Sequence, residues 1–319
     1  MTSKRRKISV LGTGNVGATI AYTLVDQGLA SEIVLVDINK EKALGEAIDI
    51  AQCAASTPSV KIWSGEYEDV AGSDIVIVTF GVGRKPGQTR LDLAKINLGI
   101  LKSVMPGVAK IAPDALYIIV SNPVDLMTYE TVKCTGLPVE RVIGTGTLLD
   151  SNRLSKFIAD YCKVDVSNVK GYVIGEHGDA CMVPWSICSV CGIPLIEYCT
   201  KVMGIKEDVL RAELEELYVN MVKSGSIVIK AKGATFYAIA SSTVQLVKAI
   251  FADTKTVLPL STLLKGEYGA NDLNMGIPCV VGGNGIEKVV ELPMLAKEKE
   301  LLAEKVASLS ATYDALELR

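Results

Sequence analysis

The stretch from Lys7 to Asp37 constrains this chain more than any other. Lys7 to Leu11 reads as a strand, Gly12-Thr13-Gly14-Asn15-Val16-Gly17 follows at once, Asn15 to Gln27 has helical spacing, and Glu32 to Asp37 is a second strand ending on an acid. A strand, a glycine turn, a helix and a strand make a βαβ crossover, and in that setting G-x-G-x-x-G has a physical meaning. Gly12 permits the tight turn. Gly14 lets backbone N–H groups reach a pyrophosphate at the positive helix end, where Asn15 and Val16 also stand, and Gly17 lets helix and strand close together. Asp37 can then accept hydrogen bonds from adenosine ribose hydroxyls. A 2′-phosphate would meet this carboxylate and find no cation at Ile38, so NAD is expected over NADP.

The alternation continues. Asp74 to Phe80 is an apolar run, Gly81 to Gly87 a glycine-rich loop, and about Leu91 to Ile111 a helix; strands at Leu116 to Ser121 and Val142 to Gly144 flank a helix beginning near Asp125. This is the order of a doubly wound parallel sheet, the Rossmann arrangement, expected over residues 1–145. After Asp150 the pattern changes. One long helical stretch, Lys206 to about Phe251, is interrupted by Gly225 and Gly233, and Val257 to Leu264, Pro278 to Val281 and Lys288 to Glu291 read as antiparallel strands. An amphipathic helix from Leu295 to Leu316, striped with Leu301, Leu302, Val306 and Leu309, closes an α+β catalytic domain expected over residues 146–319.

Few aromatics and a 49% apolar share require a core of Val, Ile, Leu and Ala, which suits buried parallel strands. A net charge of −3 argues against nucleic acid, and the basic run Lys4 to Lys7 reads as a solvated lead-in to the first strand. No apolar run reaches membrane-spanning length, and a cytoplasmic location is expected. Eight cysteines include Cys188-x-x-Cys191, but neither a second C-x-x-C nor a thioredoxin-like context accompanies it; buried thiols in a reducing compartment are expected, and no metal.

The only histidine, His177, lies in Gly175-Glu176-His177-Gly178-Asp179. With NAD bound, an imidazole near its ordinary pKa can supply the proton that a carbonyl needs when it accepts hydride. Asp150 is the candidate partner for the ring, and Arg153, three residues on, could share its pocket and fork onto a substrate carboxylate. Local spacing alone points instead to an N-capping aspartate and a surface arginine.

The wider sequence shifts that balance. Over essentially its full length, the chain resembles the L-lactate and L-malate dehydrogenase family. The resemblance is carried by Gly12 to Gly17, Asp37, the loop Arg84 to Leu93, Ser121-Asn122-Pro123-Val124-Asp125, Leu149 to Arg153 and Gly175 to Asp179. It implies His177 as acid/base, Asp150 as its orienting carboxylate and Arg153 as the substrate clamp. It also implies Arg90 on a mobile loop polarising the carbonyl, Asn122 at the reacting oxygen and beside the cofactor, and Thr235 in the side-chain pocket.

Glu176, the run Thr89 to Leu93 and Gly233-Ala234-Thr235 look like lactate dehydrogenase. Arg84 stands where the resemblance places glutamine in lactate enzymes and arginine in malate enzymes; it would favour oxaloacetate by pairing with its second carboxylate. The expectation is a lactate dehydrogenase scaffold, of glycolytic type, with added oxaloacetate turnover; a malate dehydrogenase proper and a non-catalytic NAD-binding redox sensor are the alternatives. The resemblance also implies a homotetramer. Ser155 and Lys170 occupy the positions where related enzymes bind fructose 1,6-bisphosphate with an arginine and a histidine, so little activation by that sugar is expected.

Overall fold

The computed structural model of the chain describes residues 6–83, 87, 89–178 and 180–319, with Arg90 described by its backbone only. Six parallel strands form the first half: β1 (Lys7–Leu11), β2 (Glu32–Val36), β3 (Lys61–Ser64), β4 (Ile75–Val78), β5 (Leu116–Ile119) and β6 (Val142–Gly144). They stand in the order β3-β2-β1-β4-β5-β6. The Ile-Val-Ile-Val of β4 and the Leu-Tyr-Ile-Ile of β5 are buried throughout, as expected for strands covered on both faces. Helices α1 (Asn15–Asp26), α2 (Lys40–Ala51), α3 (Arg90–Ile111) and α4 (Val124–Thr135) supply that cover. Connectivity reverses between β1 and β4, which opens a crevice at the carboxyl ends of the strands.

The second half begins with α5 (Leu148–Cys162) and the short strands β7 (Val169–Lys170), β8 (Ile174–Gly175), β9 (Cys181–Met182), β10 (Ser189–Val190) and β11 (Ile193–Pro194). It continues through α6 (Leu195–Glu197), α7 (Glu207–Lys232) and α8 (Tyr237–Phe251) to the antiparallel strands β12 (Thr256–Lys265), β13 (Asn271–Gly282) and β14 (Gly285–Val289), and ends in α9 (Ala296–Ala315). β12 pairs with β6 through Ser261 and Gly144, β13 pairs with β8 through Gly276 and Gly175, and β8 pairs with β9. One sheet therefore runs from the first half into the second. A separate apolar cluster, including Leu154, Ile158, Val173, Leu195, Leu210 and Met221, fills the space around α5 and α7.

Three expectations need correction, and one strand carries no readable signal. Gly225 does not interrupt α7; the break comes at Gly233, which adopts φ 85°. An isolated glycine lowers helix propensity by about 1 kcal/mol but does not force a turn. The edge strand β3 carries Lys61 and only partly buried neighbours, too weak a pattern to read as a strand. β13 starts at Asn271, well before Pro278, because pairing with β12 extends it through its polar residues. Leu301 is 42% exposed, whereas Leu302, Leu309 and Tyr313 form the buried face of α9.

The Tyr313 hydroxyl accepts the Asn274 N–H at 3.0 Å and has the Asn274 and Asp125 carbonyls at 3.2 and 3.4 Å to receive its proton. Tyr313→Phe would strand that buried N–H, so it is expected to cost about 1–3 kcal/mol, read as a lower urea midpoint.

Candidate active site

The fingerprint turn is shaped by close contacts. A Cβ on Gly12, at φ 97°, would stand 2.7 Å from the Phe80 nitrogen, and one on Gly17 would stand 1.9 Å from the Gly12 carbonyl oxygen. Thr79, which follows β4, adds a pin, its hydroxyl donating to the Gly12 carbonyl at 2.8 Å. Gly14 has nothing within 4 Å of where its Cβ would be, so the start of α1 is open to an incoming group. Asp37, at the end of β2, accepts from the Thr13 N–H at 2.6 Å, the Thr13 hydroxyl at 3.0 Å and the Asn39 N–H at 2.9 Å. Partial burial would raise its pKa, but these bonds outweigh it and hold the carboxyl below the usual range. An open helix N-terminus beside a fixed, ionised carboxylate fits a dinucleotide with a free ribose diol.

A cleft of about 600 Å³ begins beside Val16 and runs into the second half of the chain, where Asp150, Arg153, His177 and Thr235 line it. Asp150 lies in the first turn of α5, with Arg153 one turn further on. His177 follows β8, which the pairing of Gly175 with Gly276 holds in place. The His177 Nδ1 and Asp150 Oδ2 are 2.6 Å apart, and Arg153 donates to Asp150 Oδ1 at 3.3 Å. With Nδ1–H directed at the carboxylate, Nε2 is the ring nitrogen left for chemistry in the cleft.

Desolvation disfavours charge on both partners, yet they stabilise each other. Burial would lower the His177 pKa, but the Asp150 charge and hydrogen bond, with a further contribution from Asp125, raise it above the ordinary 6.5 while Arg153 opposes them. Burial would raise the Asp150 pKa, but the charge and hydrogen bond of His177 and the charge of Arg153 hold it low. The result is a mutually stabilised histidine–carboxylate pair at the wall of a cleft, with a guanidinium beside it.

Asn122 lines the cleft at the turn between β5 and α4. Its carbonyl accepts from the Asn97 side chain at 2.8 Å, and the same Asn97 accepts the Val82 N–H at 2.9 Å. Asn97 thus ties the Gly81–Gly83 segment to the Asn122 turn. Arg84 and the Arg90 side chain lie outside the described residues.

Sequence reasoning assigned no role to Asn97, Thr79 or Asp125. Asn97 could have been noticed as a polar residue on the buried face that Ala94, Leu98 and Leu101 define on α3; it is 2% exposed. All eight cysteines are free thiols, and Cys191 is exposed while Cys162, Cys181, Cys188, Cys199 and Cys279 are buried. Among the described residues no cluster of three or more His, Cys, Asp and Glu could hold a metal, and no helix is long and apolar enough to cross a membrane.

Residues 6–144 match the NAD binding domain of lactate/malate dehydrogenase, and residues 147–317 match its alpha/beta C-terminal domain. The chain belongs to the lactate/malate dehydrogenase family. It is 46% identical over 316 residues to an L-lactate dehydrogenase of Clostridium botulinum, covering 98% of both chains. It is 45% identical over 292 residues to one of Thermoanaerobacter pseudethanolicus, covering 92% of this chain and 93% of the relative. The minor L-lactate dehydrogenase of Enterococcus mundtii, solved with ligands bound, superposes with a TM-score of 0.93 at 41% identity over 99% of each chain. A lactate dehydrogenase from a Medee basin deep-sea metagenome library does so at 0.93 and 35% identity, over 99% of this chain and 100% of that one. This family member is an NAD-dependent oxidoreductase acting on a CH–OH group.

Gly17→Ala would drive a methyl into the Gly12 carbonyl and open the turn that faces the cofactor. A fluorescence titration with NADH is expected to show at least about tenfold weaker binding, equivalent to about 1.4 kcal/mol.

Proposed function

We propose that the protein is an L-lactate dehydrogenase, reducing pyruvate to L-lactate with NADH and catalysing the reverse reaction, and that Arg84 extends its range to oxaloacetate. The observation that carries this reading is the Asp150–His177 pair with Arg153 beside it in one cleft. The L-lactate dehydrogenases of Clostridium botulinum and Enterococcus mundtii, similar to this chain over nearly all its length, support the substrate assignment.

NAD, when bound, supplies or accepts the hydride at the substrate C2. Arg153 holds the substrate carboxylate by paired N–H donors, which orients the carbonyl toward His177. His177 gives its Nε2 proton to the developing alkoxide during reduction and takes it back from the hydroxyl during oxidation. Asp150 keeps the ring in the required tautomer and stabilises its charged form. Asn122 stands at the reacting oxygen, Thr235 against the substrate side chain, and Arg90 polarises the carbonyl when its loop closes. In this reading residues 1–145 bind the dinucleotide and 146–319 carry most of the substrate site.

An arginine at position 84 can form a charge-assisted pair with a second substrate carboxylate, a contact of about 2–5 kcal/mol when desolvated. We further propose a cytoplasmic homotetramer. Ser155 and the exposed Lys170 leave a fructose 1,6-bisphosphate site short of one cation, so activation by that effector should be weak.

Reduction requires protonated His177, whose pKa is raised. Pyruvate kcat/KM should therefore hold through neutral pH and fall above it, while lactate oxidation rises across the same window. Rates followed by NADH absorbance from about pH 6 to 9 check this; reduction that stays level throughout would exclude His177 as the acid. For Arg84→Gln, the ratio of oxaloacetate to pyruvate kcat/KM is expected to fall about tenfold or more. An unchanged ratio would remove Arg84 from the specificity site.

A further inference from the structure

Asp150 is not the only carboxylate on His177. Asp125, in the first turn of α4, accepts the His177 main-chain N–H on its Oδ2 at 2.9 Å. It is 2% exposed. Its Oδ1 is buried without a well-aligned hydrogen bond among the described residues, and the same holds for the Ser261 hydroxyl and the Asn274 side-chain amide. A neutral amide or hydroxyl could accept the same N–H without the cost of desolvating a charge. A carboxylate kept there needs a compensating positive group.

The surroundings supply one. Ser261 comes from β12, Asn274 from β13, Tyr313 from α9, Glu176 and His177 from the segment after β8, and Asp150 from α5. Of these only His177 can be cationic. Of the lysines along α3 and α4, Lys102 pairs with Glu130 and Lys133 with Asp272. Tyr313 stays neutral, because burial and the Asp125 charge push its pKa well up. Burial raises the Asp125 pKa to about 6, against the Ser261 hydroxyl, the His177 N–H and the His177 charge, while the Asp150 charge adds to the rise. Position in the first turn of α4 also favours the ionised form.

We propose that Asp125 is a positioning residue for proton transfer: it fixes the main chain of His177 against Asp150 and provides a second buried negative charge that stabilises the imidazolium. The inference rests on the reading of His177 as the acid/base and divides its electrostatic support between two carboxylates on different helices. Asp150 acts through the ring, Asp125 through the backbone and through space.

Because the chain has one histidine, untagged full-length protein made with isotope-labelled histidine gives a single titrating ring signal in NMR. Its midpoint is the His177 pKa, independent of turnover. Asp125→Asn keeps an acceptor for the N–H and removes the charge. The midpoint is expected to fall by about half a pH unit or more. The alkaline limb of pyruvate reduction should move down by the same amount, with KM for NADH unchanged. An unmoved midpoint, even with turnover reduced uniformly at every pH, would show a merely structural role and overturn the proposal. A midpoint that moves while the kinetic limb stays would retain the electrostatic link and overturn the acid/base reading. If Asp125→Asn does not fold, Ser261→Ala removes only the hydroxyl that favours the charged carboxyl; a smaller fall in the midpoint supports the proposal, and none counts against it.

Discussion

The close approach of β6 to β12 joins the two halves of this molecule and sets the geometry of its cleft. Ser261 pairs with Gly144, and a Cβ on Gly144 would stand 2.3 Å from the Thr128 hydroxyl and 2.7 Å from the Ser261 Cβ. Two residues on, a Cβ on Gly146 would meet the Ser261 nitrogen at 2.4 Å. Side chains at these positions would force the strands apart. The contact makes one sheet of a parallel half and an antiparallel half, and α5 starts at its edge with Asp150 and Arg153 in its first turns.

Every part of the candidate site depends on that junction. The dinucleotide turn and Asn122 belong to the first half, Asp150 and Arg153 to the helix that leaves the joint, His177 to a segment beyond β8, and Thr235 to the turn between α7 and α8. No one element carries His177, Arg153 and the glycine turn together. Asn97 reinforces the arrangement by bonding to both Val82 and the Asn122 carbonyl, so the Gly81–Gly83 segment and the turn that bears Asn122 are held as a unit.

The electrostatics follow from burial. Desolvation works against charge on His177, Asp150 and Asp125 alike, and their mutual interactions oppose it. The 2.6 Å contact between His177 and Asp150 is strong because little water competes for it, and the Asp150 side chain is only 8% exposed. The lone histidine lies between carboxylates from two helices, α4 and α5, whose charges raise its affinity for the proton.

The parallel half was legible in the sequence because its signals are local. Buried runs such as Ile75–Val78 and the glycine turn before α1 state their conformation within a few residues. The family, its cofactor and the segments bearing the candidate site could be read from motifs in the same way. Weaker local patterns misled: β3 lacks a buried face, Gly225 sits within an unbroken helix, and the start of β13 is polar. The motifs had already paired Asp150 with His177, 27 residues away; only the tertiary structure decided that Asp125 meets the same residue from a different helix. The reason is physical: these contacts depend on where a shared sheet places the ends of α4, α5 and β8. Burial, which determines how strongly each charge acts, is a property of the packed molecule.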